Sequence, residues 1–242
     1  MSQIRNRSCS IRRIFRSHPN LVAETELPSP EGPVPVVFKL FGWRNRLHFL
    51  LSPFQESKAF RSLKAAVFLL EKGLNTPLPV GAYEVRKWGF VRENAYLTLS
   101  LGPKSNVKDF LRGLSAEARL QTLRRLGREL RRMHDAGLVH RDLEQNNLFI
   151  CLHEQPVRFY LLDLNRARFL GSVPGPLRIT DLARLRLSEK DFRALLLGYA
   201  PDRAEFGKLW RLLTWKRKMN GLYDWLKSYR NRYLYRPLGW RK

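Results

Sequence analysis

Hydrophobic and polar positions along the chain predict an ordered series: strand, helix and two strands, then a long helix, two more strands and a helical remainder. VVFKLF, Val36 to Phe41, is a short β-prone run broken by one lysine, Lys39, and it follows a Pro-rich turn spanning Leu27 to Pro35. Ser52-Pro53-Phe54-Gln55 has the form of a helix start. Ser52 can cap, Pro53 suits the first helical position and Gln55 can reach back. Phe60, Leu63, Val67 and Leu70 then recur at helical spacing until Gly73. Two strands are expected around Tyr83 to Val91 and Ala95 to Leu101. Gly102-Pro103 interrupts the pattern and marks a boundary between a smaller first lobe and a larger second one.

The second lobe opens with a short helix near Val107 to Leu111. An amphipathic helix from Ser115 to about Ala136 follows, with Leu120, Leu123, Leu126, Leu130 and Met133 on its apolar face and Gly137 as its stop. HRDLEQNNLFI, His140 to Ile150, comes next, and YLLDLNRARF, Tyr160 to Phe169, carries a lone acid, Asp163, from an apolar run into a basic turn. Beyond Pro176 the pattern is helical. The fold class expected is α+β, with residues 1–20 as a basic arm, 21–102 as the small β-rich lobe and 103–242 as the larger, mainly helical lobe with a basic aromatic tail.

Charge changes the picture more than composition does. Forty-five Lys and Arg against 21 Asp and Glu give a formal net charge of +24 in 242 residues, while the 44% hydrophobic content is ordinary. Such a field selects an anionic partner: nucleic acid, an acidic membrane face or a phosphorylated substrate. Two cysteines in unrelated contexts, Cys9 and Cys151, fit a reducing compartment and supply no metal-ligand spacing. No run reaches the length of a spanning helix or a signal peptide's apolar region, so a cytoplasmic protein is expected, lying on a membrane without crossing it.

Phosphoryl transfer from ATP needs a cation on the phosphates, a carboxylate for the acceptor hydroxyl, oxygen ligands for Mg²⁺ and a cover against water. Lys39 on an early strand, Asp142 after a long helix, Asn147 five residues later and Asp163 at the end of a strand pair have the required chemistry. Asn147 and Asp163 offer one amide and one carboxylate oxygen to a hard ion, and Asp142 stays available as a base. His140 reads as a hydrogen-bonding residue of the loop rather than a base.

His140-Arg141-Asp142 with Asn147 resembles the catalytic loop of the protein-kinase-like superfamily, and Val36-Val37-Phe38-Lys39 resembles its ATP-lysine strand. Asp163-Leu164-Asn165 stands where that superfamily has Asp-Phe-Gly. LLDLNRARF, Leu161 to Phe169, and EKGLNTPLPVG, Glu71 to Gly81, are similar to the bacterial lipopolysaccharide core kinases that act on Kdo and heptose. The resemblance covers roughly residues 36–187. It implies a two-lobed kinase-like fold with ATP and Mg²⁺ as cofactors. Lys39 would sit on the phosphates, Asp142 would be the base, and Asn147 and Asp163 would hold the metal. A sugar hydroxyl of lipopolysaccharide inner core, or of another anionic glycolipid, would be the acceptor.

Two departures keep an alternative open, a catalytically weak or inactive nucleotide-binding protein or an atypical kinase for another anionic substrate. No Gly-rich loop precedes Lys39; only Gly32 does. The glutamate that should pair with the lysine falls near Ser62 by analogy; Glu56, on the same helical face as Phe60, Leu63 and Val67, is the alternative partner. The tail carries eleven Lys or Arg and one acid from Lys208 onward, with four of the six tryptophans. Trp210, Leu212 and Leu213 are expected to pack inward, and Tyr229 to Lys242 to face an anionic membrane at the inner face of the bacterial inner membrane. Nucleic acid is a less favoured partner, and a monomer is expected.

Overall fold

The computed structural model describes residues 11–18, 20–42, 49–152, 154 and 157–230, with side chains through 219 and at Trp225. The basic aromatic stretch from Tyr229 on and the first ten residues lie outside what it describes at the side-chain level. Five antiparallel strands form the N-terminal sheet: β1 (Ile11–Arg16), β2 (Leu21–Leu27), β3 (Val34–Leu40), β4 (Pro79–Lys87) and β5 (Phe90–Leu99), in the order β1-β2-β3-β5-β4. Part of the basic arm is therefore an edge strand of this sheet. Lys39 sits opposite Val22 on one side and Tyr96 on the other, which places its side chain centrally on the sheet.

The β4–β5 hairpin turns at Trp88-Gly89, four residues earlier than the expected gap. Both residues have left-handed φ, 53° and 79°, as a two-residue hairpin connection requires. Trp88 masks the turn because a large aromatic rarely adopts that conformation.

Helix α1 (Lys58–Glu71) begins five residues after the predicted start. Ser52 heads only a 3₁₀ turn, and its buried hydroxyl accepts from Val91 N at 3.1 Å instead of capping. The true cap is Ser57, which accepts from Phe60 N, and Asn94 reaches across from β5 to accept from Ala59 N at 3.2 Å. The helix also turns a different face inward than expected. Its buried face is Ala59, Ser62, Ala65, Ala66 and Leu69, while Phe60, Leu63 and Leu70 are only partly covered and Val67 is exposed. Small side chains on the inner face let α1 lie close to β4 and β5.

The rest follows the predicted order. β6 (Lys104–Asn106) and α2 (Val107–Arg112) lead into α3 (Ala116–Asp135), capped by Ser115, whose hydroxyl accepts from Ala118 N. Then come β7 (Leu138–Val139), the hairpin β8 (Leu148–Cys151) and β9 (Phe159–Leu161), and β10 (Arg168–Phe169) paired with β7. Three helices close the described chain: α4 (Gly175–Leu182), α5 (Glu189–Tyr199) and α6 (Arg203–Arg230). Leu213 is buried and Trp210 stacks on Phe206, so the start of α6 packs inward as expected.

α3 and α5 touch backbone to backbone. A Cβ at Gly198 would stand 1.9 Å from Arg124 O, and one at Gly127 would stand 2.1 Å from Leu195 O. Arg119 closes this pair with a two-pronged contact to Asp191 at 2.7 and 2.8 Å. Ala65, Ala66 and Leu69 of α1 belong to the same core as Leu126, Leu130, Met133, Leu148 and Leu195, so α1 is the element that seats the sheet on the helical region.

Candidate active site

The β8–β9 hairpin pairs Leu148 with Leu161, and this register brings the residue before β8, Asn147, beside the residues after β9. Leu162 N donates to Asn147 O at 2.9 Å. The amide nitrogen of Asn147 donates to Asp142 O at 2.8 Å, which fixes the loop and leaves the side-chain oxygen as its other donor atom. Asp163 has φ 60° and ψ 48°, a left-handed conformation that turns its carboxylate back toward the sheet. There it meets Lys39 Nζ at 2.6 Å, and Asn165 also donates to the same carboxylate.

Lys39, Asn147 and Asp163 line one cavity of about 250 Å³ together with Val22, Val37, Tyr96, Thr98 and Leu162. Apolar side chains from both regions, among them Val22, Val37, Leu162 and Leu164, form part of its walls, a setting suited to a flat heterocycle. Tyr96 faces it with a hydroxyl that has no hydrogen-bond partner among the described residues, and burial pushes that hydroxyl's pKa up.

Asp142 stands just outside this cavity, its side chain 20% exposed, with Arg166 Nη1 at 3.3 Å and Arg184 Nη1 at 3.9 Å. The loop that carries it is set from below. His140 is fully buried; its Nε2 donates to Leu162 O at 2.9 Å and its Nδ1 accepts from Asp142 N at 3.3 Å, so one tautomer ties Asp142 to the Asp163 strand. The expected structural role of His140 matches this placement.

Asp181 on α4 was not singled out from the sequence, yet it anchors the loop. Its two oxygens accept from His140 N at 2.8 Å and Arg141 N at 2.7 Å, and Arg141 has φ 63°. Burial opposes its charge, but His134 and the His140 side chain and amide outweigh that and hold the carboxyl below the usual range. His134 itself is pushed down by burial against the pull of Asp181, and its Nδ1 meets Tyr199 Oη at 2.8 Å. The available signal was the acid in LRITDLARL: Asp181 sits beside Ile179, Leu182 and Leu185 with no exposed face to occupy.

Glu56 is not brought to Lys39. It precedes the cap of α1 and pairs with Lys64 at 2.6 Å on the surface. The displaced helix start is the cause: Glu56 lies outside the helix whose inner face it was expected to share. Ser62 lines the Lys39 cavity instead, its hydroxyl donating to Lys58 O at 2.8 Å. Among the described residues the carboxylate on Lys39 is Asp163 itself.

A profile of the lipopolysaccharide kinase (Kdo/WaaP) family matches residues 43–199. The chain belongs to that family. Among curated relatives, the 3-deoxy-D-manno-octulosonic acid kinase of Mannheimia succiniciproducens is 28% identical over 176 residues, covering 66% of this chain and 70% of the relative. The enzyme of the same name from Vibrio vulnificus is 26% identical over 173 residues with the same coverage. A solved structure of WaaP in complex with acyl carrier protein superposes with a TM-score of 0.64 at 20% identity, covering 92% of this chain and 93% of that one, which establishes the shared kinase-like fold. The expected fold and family thus agree with these findings.

A magnesium ion suits the donors present. Among the described residues no three His, Cys, Asp or Glu side chains converge. Mg²⁺ characteristically takes one or two protein oxygens and completes its shell with water and phosphate oxygens. Asp163 and the free oxygen of Asn147 are such a pair.

Proposed function

We propose that this kinase transfers the γ-phosphate of ATP to a hydroxyl of Kdo in lipopolysaccharide inner core, in a cleft between lobes formed by residues 21–102 and 103–242. The observation that carries the reading is the convergence of Lys39, Asn147 and Asp163 on one cavity, with Asp142 at its mouth. Lys39 binds the phosphates, and Asn147 and Asp163 would hold magnesium, which when bound neutralises phosphate charge. The acceptor oxygen attacks the γ-phosphorus, the bond to the bridging oxygen breaks, ADP leaves, and the hydroxyl proton passes to the Asp142 carboxylate. The preference for Kdo over heptose rests on the names of the curated relatives.

Peripheral contact with the membrane carrying the acceptor is part of the reading. No helix of the described residues is long and apolar enough to cross a bilayer. Phe54 is 88% exposed and Trp88 81% exposed, on two turns that touch where Gly89 meets Pro53. Leu50 and Leu51 are exposed beside them, and Lys87 Nζ lies 4.9 Å from the Trp88 ring centroid. A cluster of exposed aromatic and aliphatic side chains with cations at its edge fits an anionic lipid interface.

The test is transfer of labelled phosphate from ATP to Kdo-bearing lipid A by wild type and Asp142→Asn. The variant is expected to lose at least about 100-fold in kcat while retaining MgATP binding by thermal shift. A variant turning over normally would remove Asp142 from the chemistry.

A further inference from the structure

A second and larger cavity, about 710 Å³, shares no lining residue with the first, but Asn165 in its lining donates to Asp163. Six cations line it: Lys58 and Arg61 from α1, Arg141 from the loop before Asp142, Arg166 and Arg168 from the turn after Asp163 and the β10 strand it leads into, and Arg184 from the turn after α4. Glu56 is the one acid in the lining, and Lys64 holds it.

A charge run on one solvated helix would account for none of this, because the six come from four separate segments. Several arginines elsewhere are neutralised by acids: Arg119 by Asp191, Arg131 by Asp135 and Glu205, Arg132 by Glu129. In the cavity, Arg166 and Arg184 reach toward Asp142 and the others crowd one another. Arg61 Nε is buried without a hydrogen-bond partner among the described residues. Burial, together with Arg168 and Arg141, pushes the Arg61 guanidinium down in pKa, and Lys58 is lowered by burial, Arg61, Lys39 and Arg166. A fold that gathers six cations and a single acid around a void carries a standing electrostatic cost, which an anion bound there would offset. Arg168 is held in place by the next residue, since the Phe169 ring packs edge-on against Phe68 of α1 at 4.8 Å.

We propose that this cavity is the anion-binding subsite for the acceptor, in which Arg61, Arg141 and Arg168 grip a carboxylate or phosphate of the saccharide. The hydroxyl to be phosphorylated then lies at Asp142, where Arg166 and Arg184 mark the cavity's edge. This rests on the reading of the chain as a saccharide kinase and adds to it the part of the acceptor that is recognised. Guanidinium forks match planar or tetrahedral oxyanions with paired hydrogen bonds, so the subsite selects acceptors by an anionic group rather than by the sugar ring alone.

The test has two arms. With the nucleotide site saturated by a non-hydrolysable ATP analogue and magnesium, inorganic pyrophosphate is titrated calorimetrically into wild type, Arg61→Gln/Arg168→Gln and Arg168→Gln alone. Arg168 is exposed, so its single variant keeps the fold if the double variant does not. One site is expected in wild type, weakened about tenfold or more in the variants. Absence of binding to wild type, or equal binding to Arg168→Gln, overturns the subsite. In the second arm, acceptor KM is measured for Kdo-bearing lipid A, for its dephosphorylated form and for its carboxyl-reduced form. The change that raises KM in wild type but not in Arg168→Gln names the anion gripped. KM indifferent to both changes overturns the role in acceptor recognition. If no lipid A acceptor is phosphorylated while pyrophosphate binding still depends on Arg168, the lipopolysaccharide reading has failed and the anion subsite stands.

Discussion

Replacing Asp181 by asparagine tests whether α4 sets the catalytic loop. The aspartate is 1% exposed and accepts two backbone N–H groups, from His140 and Arg141, at 2.8 and 2.7 Å. Asparagine keeps the shape but has one oxygen, so one of those amides would face an NH₂ group. A hydrogen bond to a charged acceptor contributes about 1.5–3 kcal/mol, and a buried orphaned donor costs about 1–3 kcal/mol. Arg141 must also hold φ 63° without its tether, a conformation that costs roughly 1–2 kcal/mol for a residue with a Cβ. Removing the buried charge returns part of this, because its desolvation was unfavourable in the native state. The expected net loss is about 3 kcal/mol, or about 6–12 °C in Tm for a chain of this size. Asp181 touches the loop backbone and none of the side chains lining the Lys39 cavity, so kcat should fall far more than MgATP affinity. Thermal denaturation and steady-state kinetics on the same preparation decide it. A variant with wild-type kcat and Tm would mean that the loop holds its own shape and Asp181 is a bystander.

Gly198→Ala puts a Cβ 1.9 Å from Arg124 O, and no rotamer relieves a clash with backbone; the loss should be at least about 3 kcal/mol, read as a Tm lower by about 6 °C or more, and an unchanged Tm would contradict the close crossing of α3 and α5. The His134 site makes stability fall on mild acidification. Burial holds its native pKa below the ordinary 6.5, so the unfolded chain takes up a proton near that pH that the native one refuses. Asp181, held below the ordinary carboxylate range, adds a second loss at lower pH as the unfolded carboxylate protonates first. Urea midpoints from about pH 7.5 to about pH 5.5 should decline in wild type and flatten in His134→Gln, and identical slopes would exclude His134 as the source.

The residues proposed for the chemistry were legible because a catalytic role would fix their spacing. Asp142 to Asn147 is one loop, Lys39 is one lysine in an apolar strand, and Asp163 is one acid in an apolar run, and folding brought these together. The scaffolding was less legible. α1 was misplaced because its cap competes between Ser52 and Ser57, and the choice is made by Val91 and Asn94, more than 30 residues away. The helix starts five residues later than expected, buries Ala59, Ser62, Ala65, Ala66 and Leu69 rather than Phe60, Leu63 and Val67, and leaves Glu56 outside it. Trp88 hid a hairpin turn. Asp181 and the arginines of the larger cavity come from segments with no local pattern in common, so only the tertiary fold shows that they converge.

The pairing of Lys39 gives the sharpest contrast between the two arrangements. Lys39 and Asp163 are 17% and 23% exposed in a contact of 2.6 Å, whereas Glu56 and Lys64 are 36% and 64% exposed. An exposed pair contributes about 0–1 kcal/mol, so Glu56→Gln should leave Tm nearly unchanged and MgATP KM within about twofold of wild type. If Lys39 faces the phosphates as proposed, Lys39→Met removes that cation and leaves the Asp163 carboxylate without its partner, so MgATP KM should rise about tenfold or more. Both variants can be assayed side by side for KM against nucleotide. Equal damage from the two would mean that the segment before α1 moves Glu56 onto Lys39 during turnover and that the Lys64 contact belongs to a resting state. Damage confined to Lys39→Met would mean that in this kinase the lysine takes its counter-charge from Asp163, and that Ser62 on the helix has no ionic part to play.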